Sequence, residues 1–382
     1  MNILFVSNYY PSSDRPQFCI FIQQQAQALI SLGHNVEVIV PISTYSLNEK
    51  IVKKEKSGLK VYYSEYFTLY KQIFSYLALR RNVRIFEQFF DFTHYDIISI
   101  HMFDEFTLRI FTWIAQKYKV KLVIHFHGLS ILYEYPIHLL VRVLQHRGNH
   151  VLKSLIGKAD AVVGVSDKVC ERAKYYLSND RVYTVYNGVN TSLFTPSDQK
   201  YDNYTIISVA SFKKIKGNHY LIKAVKLLAD TYSDETIRLY LVGYGPEGEA
   251  LNALVKELNM ENIVRMIGYI EYEEVANIVR QCDVFVMPSY YEALGCAYLE
   301  AMACKIPIIG CWNQGIDEII IDGINGMLVQ PHNVEQIFEK LNFLKQYPEK
   351  AAQIALNGYY TVTKQYTWAD SAKRLARVYS EL

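Results

Sequence analysis

Two glutamates, a glycine between them and a lysine-rich loop upstream are the residues of this chain best suited to chemistry. Residues 288–310 read PSYYEALGCAYLEAMACKIPIIG. Glu292 closes a loop after an apolar run, Gly295 follows, and Glu300 comes eight residues after Glu292. If Gly295 opens a helix, the first backbone N–H groups of that helix can hold an anion or a sugar hydroxyl. Glu300, more than a turn inside, can accept hydrogen bonds from a vicinal diol such as a ribose. Upstream, Lys213, Lys214 and Lys216 follow the run IISVA, and Gly217 opens the next helical stretch. A lysine beside a glycine at a helix N-terminus is an electrostatic clamp for a diphosphate. Alone, three lysines in a loop are a solvated surface. Together with the paired glutamates they read as the clamp.

A competing motif lies at Gly243, Gly245 and Gly248, a literal Gly-x-Gly-x-x-Gly after the run IRLYLVG. It has the strand–turn–helix context of a dinucleotide fingerprint. However, Glu247 and Glu249 stand where a pyrophosphate would lie and would repel it. The next apolar run, IVRMIGY, carries no acidic residue for a ribose. A tight structural turn is the better reading, and a dinucleotide-dependent oxidoreductase rests on this motif alone.

Short apolar runs alternate with helical stretches, which implies βα units and parallel sheets. In the first half these runs are 3–7, 35–40, 96–100, 121–126 and 160–166, with a helix over about 18–32 ending at Gly33. A second series starts near Tyr204 with YTIISVA, IRLYLVG, IVRMIGY, DVFVMPS, IPIIGC and GMLVQ. Two such series predict two doubly wound α/β domains, 1–190 and 191–365, facing each other across a cleft. The polar stretch 190–204 is the expected linker. Ligands of such sheets bind beyond the carboxyl ends of the strands.

These residues resemble the retaining glycosyltransferases of family 4 (glycosyl transferases group 1), which have the GT-B fold. In the second half the matching residues are Lys216-Gly217, Gly243-x-Gly245-Pro246, Ile267-Gly268, Pro288-Ser289 and the Glu292-x-x-Gly295-x4-Glu300-Ala301-Met302-Ala303 segment. Pro307, Gly315-x-x-Glu318-Ile319 and Asp322-Gly323-x-Asn325-Gly326 continue it. In the first half they are Tyr10-Pro11, Leu32-Gly33-His34, Phe126-His127-Gly128, Val165-Ser166 and Asn187-Gly188-Val189. The likeness spans nearly the whole chain.

It implies that Glu300 holds the donor ribose, and that Glu292 with the backbone of Leu294, Gly295 and Cys296 faces the donor sugar and diphosphate. Lys216 would neutralise the departing diphosphate, and Tyr269 and Ile270 would meet the base. His127 would lie across the cleft by the transferred sugar. A C-terminal helix, about 366–382, would pack back on the first domain. The chain departs from the family at Ala210-Ser211, where Gly-Arg is usual, so Ser211 stands in place of an arginine contact to the diphosphate. Lys213 or Lys214 can substitute in charge but lacks the bidentate fork. Gln17-Phe18-Cys19 replaces a glycine-rich loop, and Ala293-Leu294 replaces Gly-Phe.

The expected reaction is sugar transfer from a nucleoside diphosphate donor (UDP- or GDP-sugar) to a glycan or lipid-linked acceptor, in polysaccharide or glycoconjugate synthesis. No Asp-x-Asp occurs anywhere, so no metal and no cofactor is expected, and Lys216 and backbone amides must stabilise the leaving group. The alternative is a non-catalytic sugar-nucleotide or glycan-binding protein on a degenerate GT-B scaffold.

The 382 residues are 51% hydrophobic and 20% charged, a globular balance that excludes disorder. Six cysteines show no C-x-x-C pair. MNILFVSNYYP reads as a buried first strand rather than an export signal, so a cytoplasmic protein is expected. Residues 1–195 carry 22 Lys+Arg against 15 Asp+Glu, a net +7, whereas the remainder is net −5. No basic stripe or motif for nucleic acid accompanies that charge. It points to an anionic membrane surface at the inner face. Residues 69–90, with Lys71, Arg80, Arg81 and Arg84 among aromatics, read equally as an interfacial helix or as a core helix with a solvated basic face.

Overall fold

The central strands of this chain are almost wholly apolar, as strands buried on both faces of a parallel sheet must be. In the computed structural model, which describes residues 1–12, 16–44, 51–56, 58–67, 75–128, 151–174, 181–232 and 236–382, they build two separate sheets. The chain divides into one unit of Met1–Tyr186 with Ala369–Leu382, and a second of Asn187–Trp368.

The first unit holds β1 (Asn2–Ser7), β2 (Asn35–Thr44), β3 (Ile51–Lys56), β4 (Leu59–Phe67), β5 (Ile97–His101), β6 (Lys121–Phe126), β7 (Ala161–Gly164) and β8 (Val182–Thr184). Their order is β3-β4-β2-β1-β5-β6-β7-β8, parallel except for the β3–β4 pair. Its helices include α1 (Ile20–Ser31), α2 (Ser75–Phe89), α3 (Glu105–Tyr118) and α4 (Asp167–Lys174). Helix α1 stops where Gly33 takes φ +86, a left-handed turn that a β-carbon would strain. Helix α3 starts where the Asp104 carboxylate accepts from the Thr107 N–H at 2.7 Å. Helix α2 is a core helix: Val83 and Phe86 are buried, and Asn82 pairs with both backbone groups of Phe67. Its other face exposes Arg80, Arg81 and Arg84. Lys71 lies outside the described residues.

The second unit holds β9 (Tyr204–Val209), β10 (Ile237–Val242), β11 (Val264–Ile267), β12 (Val284–Val286), β13 (Ile308–Cys311) and β14 (Met327–Val329). They run parallel in the order β11-β10-β9-β12-β13-β14. Between and after them come α5 (Asn218–Tyr232), α6 (Gly248–Glu257), α7 (Tyr272–Val279), α8 (Cys296–Ala303), α9 (Val334–Gln346) and α10 (Pro348–Gln365). This is the doubly wound order, in which the chain reverses direction across the sheet between β9 and β12. In such sheets ligands bind at that switch point, beyond the carboxyl ends of those two strands.

The last helix, α11 (Trp368–Ser380), belongs almost entirely to the first unit, where Ala372, Leu375 and Val378 join the core around Ile3, Phe5 and Val123. The unit boundaries differ from the expected 190 and 365. The reason is a local pairing inside the second unit. The Val189 N–H donates to the Tyr366 carbonyl at 2.8 Å, and a β-carbon on Gly188 would lie 2.3 Å from the Trp368 nitrogen. The polar stretch 190–204 is packed rather than free: Arg280 donates to the Leu193 carbonyl at 2.7 Å and to Thr195 Oγ1 at 3.2 Å.

Candidate functional site

In the second unit, the loops that leave β9 and β12 flank the switch point, and they carry the lysines and the glutamates respectively. Backbone contacts zip the two loops together. The Tyr290 N–H and the Ser289 hydroxyl both donate to the Ile215 carbonyl, at 3.0 and 3.1 Å. Gly217 takes φ +72, and a β-carbon there would lie 2.2 Å from the Pro288 carbonyl oxygen. Only glycine admits that approach, and it is what delivers Lys216 to the β12 loop.

Lys216 and Glu292 meet there as an ion pair, Nζ to Oε2, with side chains 17% and 13% exposed. The Glu292 backbone is held in turn, its N–H donating to Gln314 Oε1 at 2.8 Å and its carbonyl accepting from the Gly315 N–H at 3.1 Å. Ser211, Lys213 and Lys214 lie on the exposed side of the β9 loop, whereas Phe212 is buried.

Gly295 caps α8 in the left-handed region, φ +86, so the glutamate loop turns directly into that helix. Leu294 is buried at 1% exposure and anchors the turn. Cys296 opens α8, and its sulfur accepts from Asn187 Nδ2 at 3.3 Å. Burial pushes the Cys296 thiol up to about 12, so it stays protonated and is no nucleophile. Inside α8, the Glu300 Oε1 accepts from the Tyr272 hydroxyl at 2.6 Å. Burial pushes the Glu300 carboxyl up to about 7, against the opposing pull of that hydrogen bond. Tyr269 is exposed beyond β11 and its ring meets Tyr244 edge-on at 6.2 Å, and Ile270 follows it.

The Gly-x-Gly-x-x-Gly turn packs on the same β9 loop. A β-carbon on Gly243 would lie 2.0 Å from the Ala210 carbonyl oxygen, and the Phe212 and Glu247 N–H groups pair with the carbonyls of Tyr244 and Phe212. Its glycines therefore serve backbone approach within the protein.

In the first unit, His127 follows β6 and joins a cluster that sequence reasoning missed. His101 ends β5 and His125 lies on β6, and one ring nitrogen from each of the three lies within 4.8 Å of the other two. The rings are stacked: His101 and His125 are 4.1 Å apart at 24°, and His101 and His127 are 5.2 Å apart at 23°. His101 Nδ1 and His127 Nε2 lie 2.9 Å apart and are hydrogen-bonded to one another, so these two atoms are not both free to ligate an ion. Burial drives the His101 and His125 rings well below the usual histidine range, and His127 down to about 3. All three are neutral at pH 7. Two histidines at i and i+2 on a strand end were the available signal, because that spacing puts both rings on one face.

A family model described as Glycosyl transferases group 1 matches residues 191–361, and one described as Glycosyltransferase Family 4 matches residues 20–193. The uncharacterized glycosyltransferase MJ1178 of Methanocaldococcus jannaschii is 29% identical over 237 residues, 62% of this chain and 64% of that protein. The GPI3 subunit of phosphatidylinositol N-acetylglucosaminyltransferase from Saccharomyces cerevisiae is 22% identical over 393 aligned positions, 98% of this chain and 81% of the subunit. Among solved structures, Anabaena HepE in complex with UDP-glucose superposes with a TM-score of 0.73 at 18% identity, covering 100% of both chains.

Proposed function

Because this chain belongs to the family 4 glycosyltransferases of group 1 and has their GT-B fold, we propose that it moves a sugar from a nucleoside diphosphate donor to a lipid-linked acceptor, with retention and without a metal. The observation that carries this reading is the Lys216–Glu292 pair at the switch point of the second sheet, one turn from the start of α8. Glycosyl transfer separates an oxocarbenium-like sugar from a diphosphate, and negative charge grows on the departing oxygens. Lys216 and the first N–H groups of α8 supply positive potential there. Glu292, whose partner cation is drawn toward the diphosphate, faces the sugar. Glu300 takes the two ribose hydroxyls.

A UDP-sugar is the preferred donor, supported by the likeness to a protein solved with UDP-glucose. A lipid-linked acceptor is supported by the yeast relative, which is named for transfer to phosphatidylinositol. Among the described residues no helix is long and apolar enough to cross a membrane. Peripheral contact through the exposed Arg80, Arg81 and Arg84 of α2 suits the +7 charge of the first half.

Calorimetric titration with UDP and GDP in EDTA tests the donor site. Binding is expected without metal, and it should weaken as pH falls through about 7, where Glu300 takes up a proton and one of its oxygens ceases to accept. Glu300→Gln should flatten that dependence. No binding in EDTA, restored by Mg²⁺ or Mn²⁺, would contradict the metal-free site.

A further inference from the structure

Two loops of the second unit carry Lys216 and Glu292, and a third loop grips both of them from outside. It joins β14 to α9 and holds His332, whose ring lies 4.2 Å from the Tyr290 ring and 5.2 Å from the Tyr220 ring. His332 Nδ1 lies 2.8 Å from the Tyr220 hydroxyl. Tyr220 stands in the first turn of α5, shortly after Lys216, and its N–H donates to the Gly217 carbonyl at 2.9 Å. Tyr290 stands shortly before Glu292, and its N–H donates to the Ile215 carbonyl at 3.0 Å. One imidazole therefore bridges the two segments that deliver the ion pair.

The histidine holds this place against its backbone preference. It takes φ +66, the left-handed region that glycine enters freely and a residue with a β-carbon enters at a cost. The next helix does not demand it. Asn333, extended at φ −100, caps α9 with its own side chain, which accepts from the Gln336 N–H at 2.8 Å. The core does not demand it either, because His332 is exposed. Strain of this kind persists where surrounding contacts over-determine it, and the contacts here are Tyr220 and Tyr290.

We infer that His332 is a positioning residue, which locks the β12 loop against the start of α5 and so fixes Lys216 and Glu292 as a pair before substrate arrives. This rests on the glycosyl-transfer reading for its effect on turnover, but not for the pairing itself. The Tyr290 and Ser289 donors both end on the one Ile215 carbonyl, so they fix the loops at a single point. The imidazole adds a second attachment, through Tyr290 and Tyr220, and two points resist a pivot that one allows. A shift of about 1 Å in a reacting group can cost a factor on the order of 10² in rate, so a residue that touches no substrate can still set it.

A double-mutant cycle on urea unfolding tests the pairing without any nucleotide. Lys216→Met, Glu292→Gln and the double variant are compared in the parent chain and in His332→Gly, which removes the ring and takes the same φ without strain. The Lys216–Glu292 coupling, read from the four midpoints, should be present in the parent and at least halved in the glycine background. His332→Asn, which also tolerates that φ, should match the glycine. Equal coupling in parent and variant, or none in either, would overturn the inference. Turnover is the second readout. His332→Gly should lower kcat/KM about tenfold in the parent but less than about twofold in Lys216→Ala, because the histidine acts through the lysine. Tyr220→Phe removes the hydrogen bond alone and should give a smaller loss of the same kind. An equal loss with and without Lys216 would also overturn the inference. Should the protein bind donor without turnover, the coupling cycle still decides the positioning, while the transfer reading fails separately.

Discussion

Lys216→Ala is expected to lower kcat by a factor on the order of 10² to 10³ in a chain that remains folded, as when a preorganised electrostatic contact is removed. Lys216 is mostly shielded from water and its Nζ is committed to Glu292. The pair holds the ammonium in place before the substrate arrives, so no reorganisation is needed as charge moves onto the diphosphate. Donor binding should weaken as well, because the diphosphate is already anionic in the ground state. Glu292→Gln should fall in the same kcat range, through loss of the charge that orients the lysine. Glu300 gives the contrast. The ribose contact proposed for it would not change during transfer, so Glu300→Gln should raise donor KM more than it lowers kcat. Steady-state kinetics of the three variants, with folding checked by circular dichroism, would show the split. Three variants with unchanged kcat and KM would remove the site from this position.

Unfolding should become strongly acid-dependent, because His101 and His125 are buried and His127 is half-buried without charge in the first unit. Each has a folded pKa below the roughly 6.5 of an unfolded histidine, from desolvation first and, for His101 and His125, from neighbouring rings second. The stability they contribute is fully present above about pH 6.5. It is lost as pH falls, since the unfolded chain binds protons that the folded one does not. With all three neutral when folded, the loss approaches about 4 kcal/mol per pH unit well below pH 6.5. Their hydrogen-bond partners Ser99 and Tyr379 are neutral and cannot compensate an imidazolium. Urea midpoints at pH 7.5, 6.5 and 5.5 are the measurement, and His125→Phe should remove about a third of the slope. A midpoint that does not move between pH 6.5 and 5.5 would contradict the neutral stack.

The six strands of the second sheet were legible because each is a short apolar run between turn residues, and the parallel order follows from helices placed between them. In the first sheet, β3, β4 and β8 were not read. β3 is IVKKEK, an edge strand whose exposed lysines hide its pattern, and β8 is only three residues long. β4 is LKVYYSEYF, and its buried Leu59, Val61, Ser64 and Tyr66 break strict alternation in the middle. The glutamates and Lys216 were legible because a motif places them at strand ends. Their union was not, because the contact between Gly217 and Pro288 joins loops more than 70 residues apart. Tyr272 beside Glu300, 28 residues away, and Tyr379 beside Ser99, 280 away, likewise leave no local signature.

The fate of the nucleotide sugar tests the central claim most directly. The full chain is incubated in EDTA with UDP-sugars and a phospholipid extract in vesicles, and released UDP and glycosylated lipid are quantified together. The account predicts equal amounts of both, a product with the anomeric configuration of the donor, and loss of both signals in Lys216→Ala. Tight donor binding with no UDP release from any sugar nucleotide, in EDTA or with added metal, would contradict it and leave a binding protein on this fold.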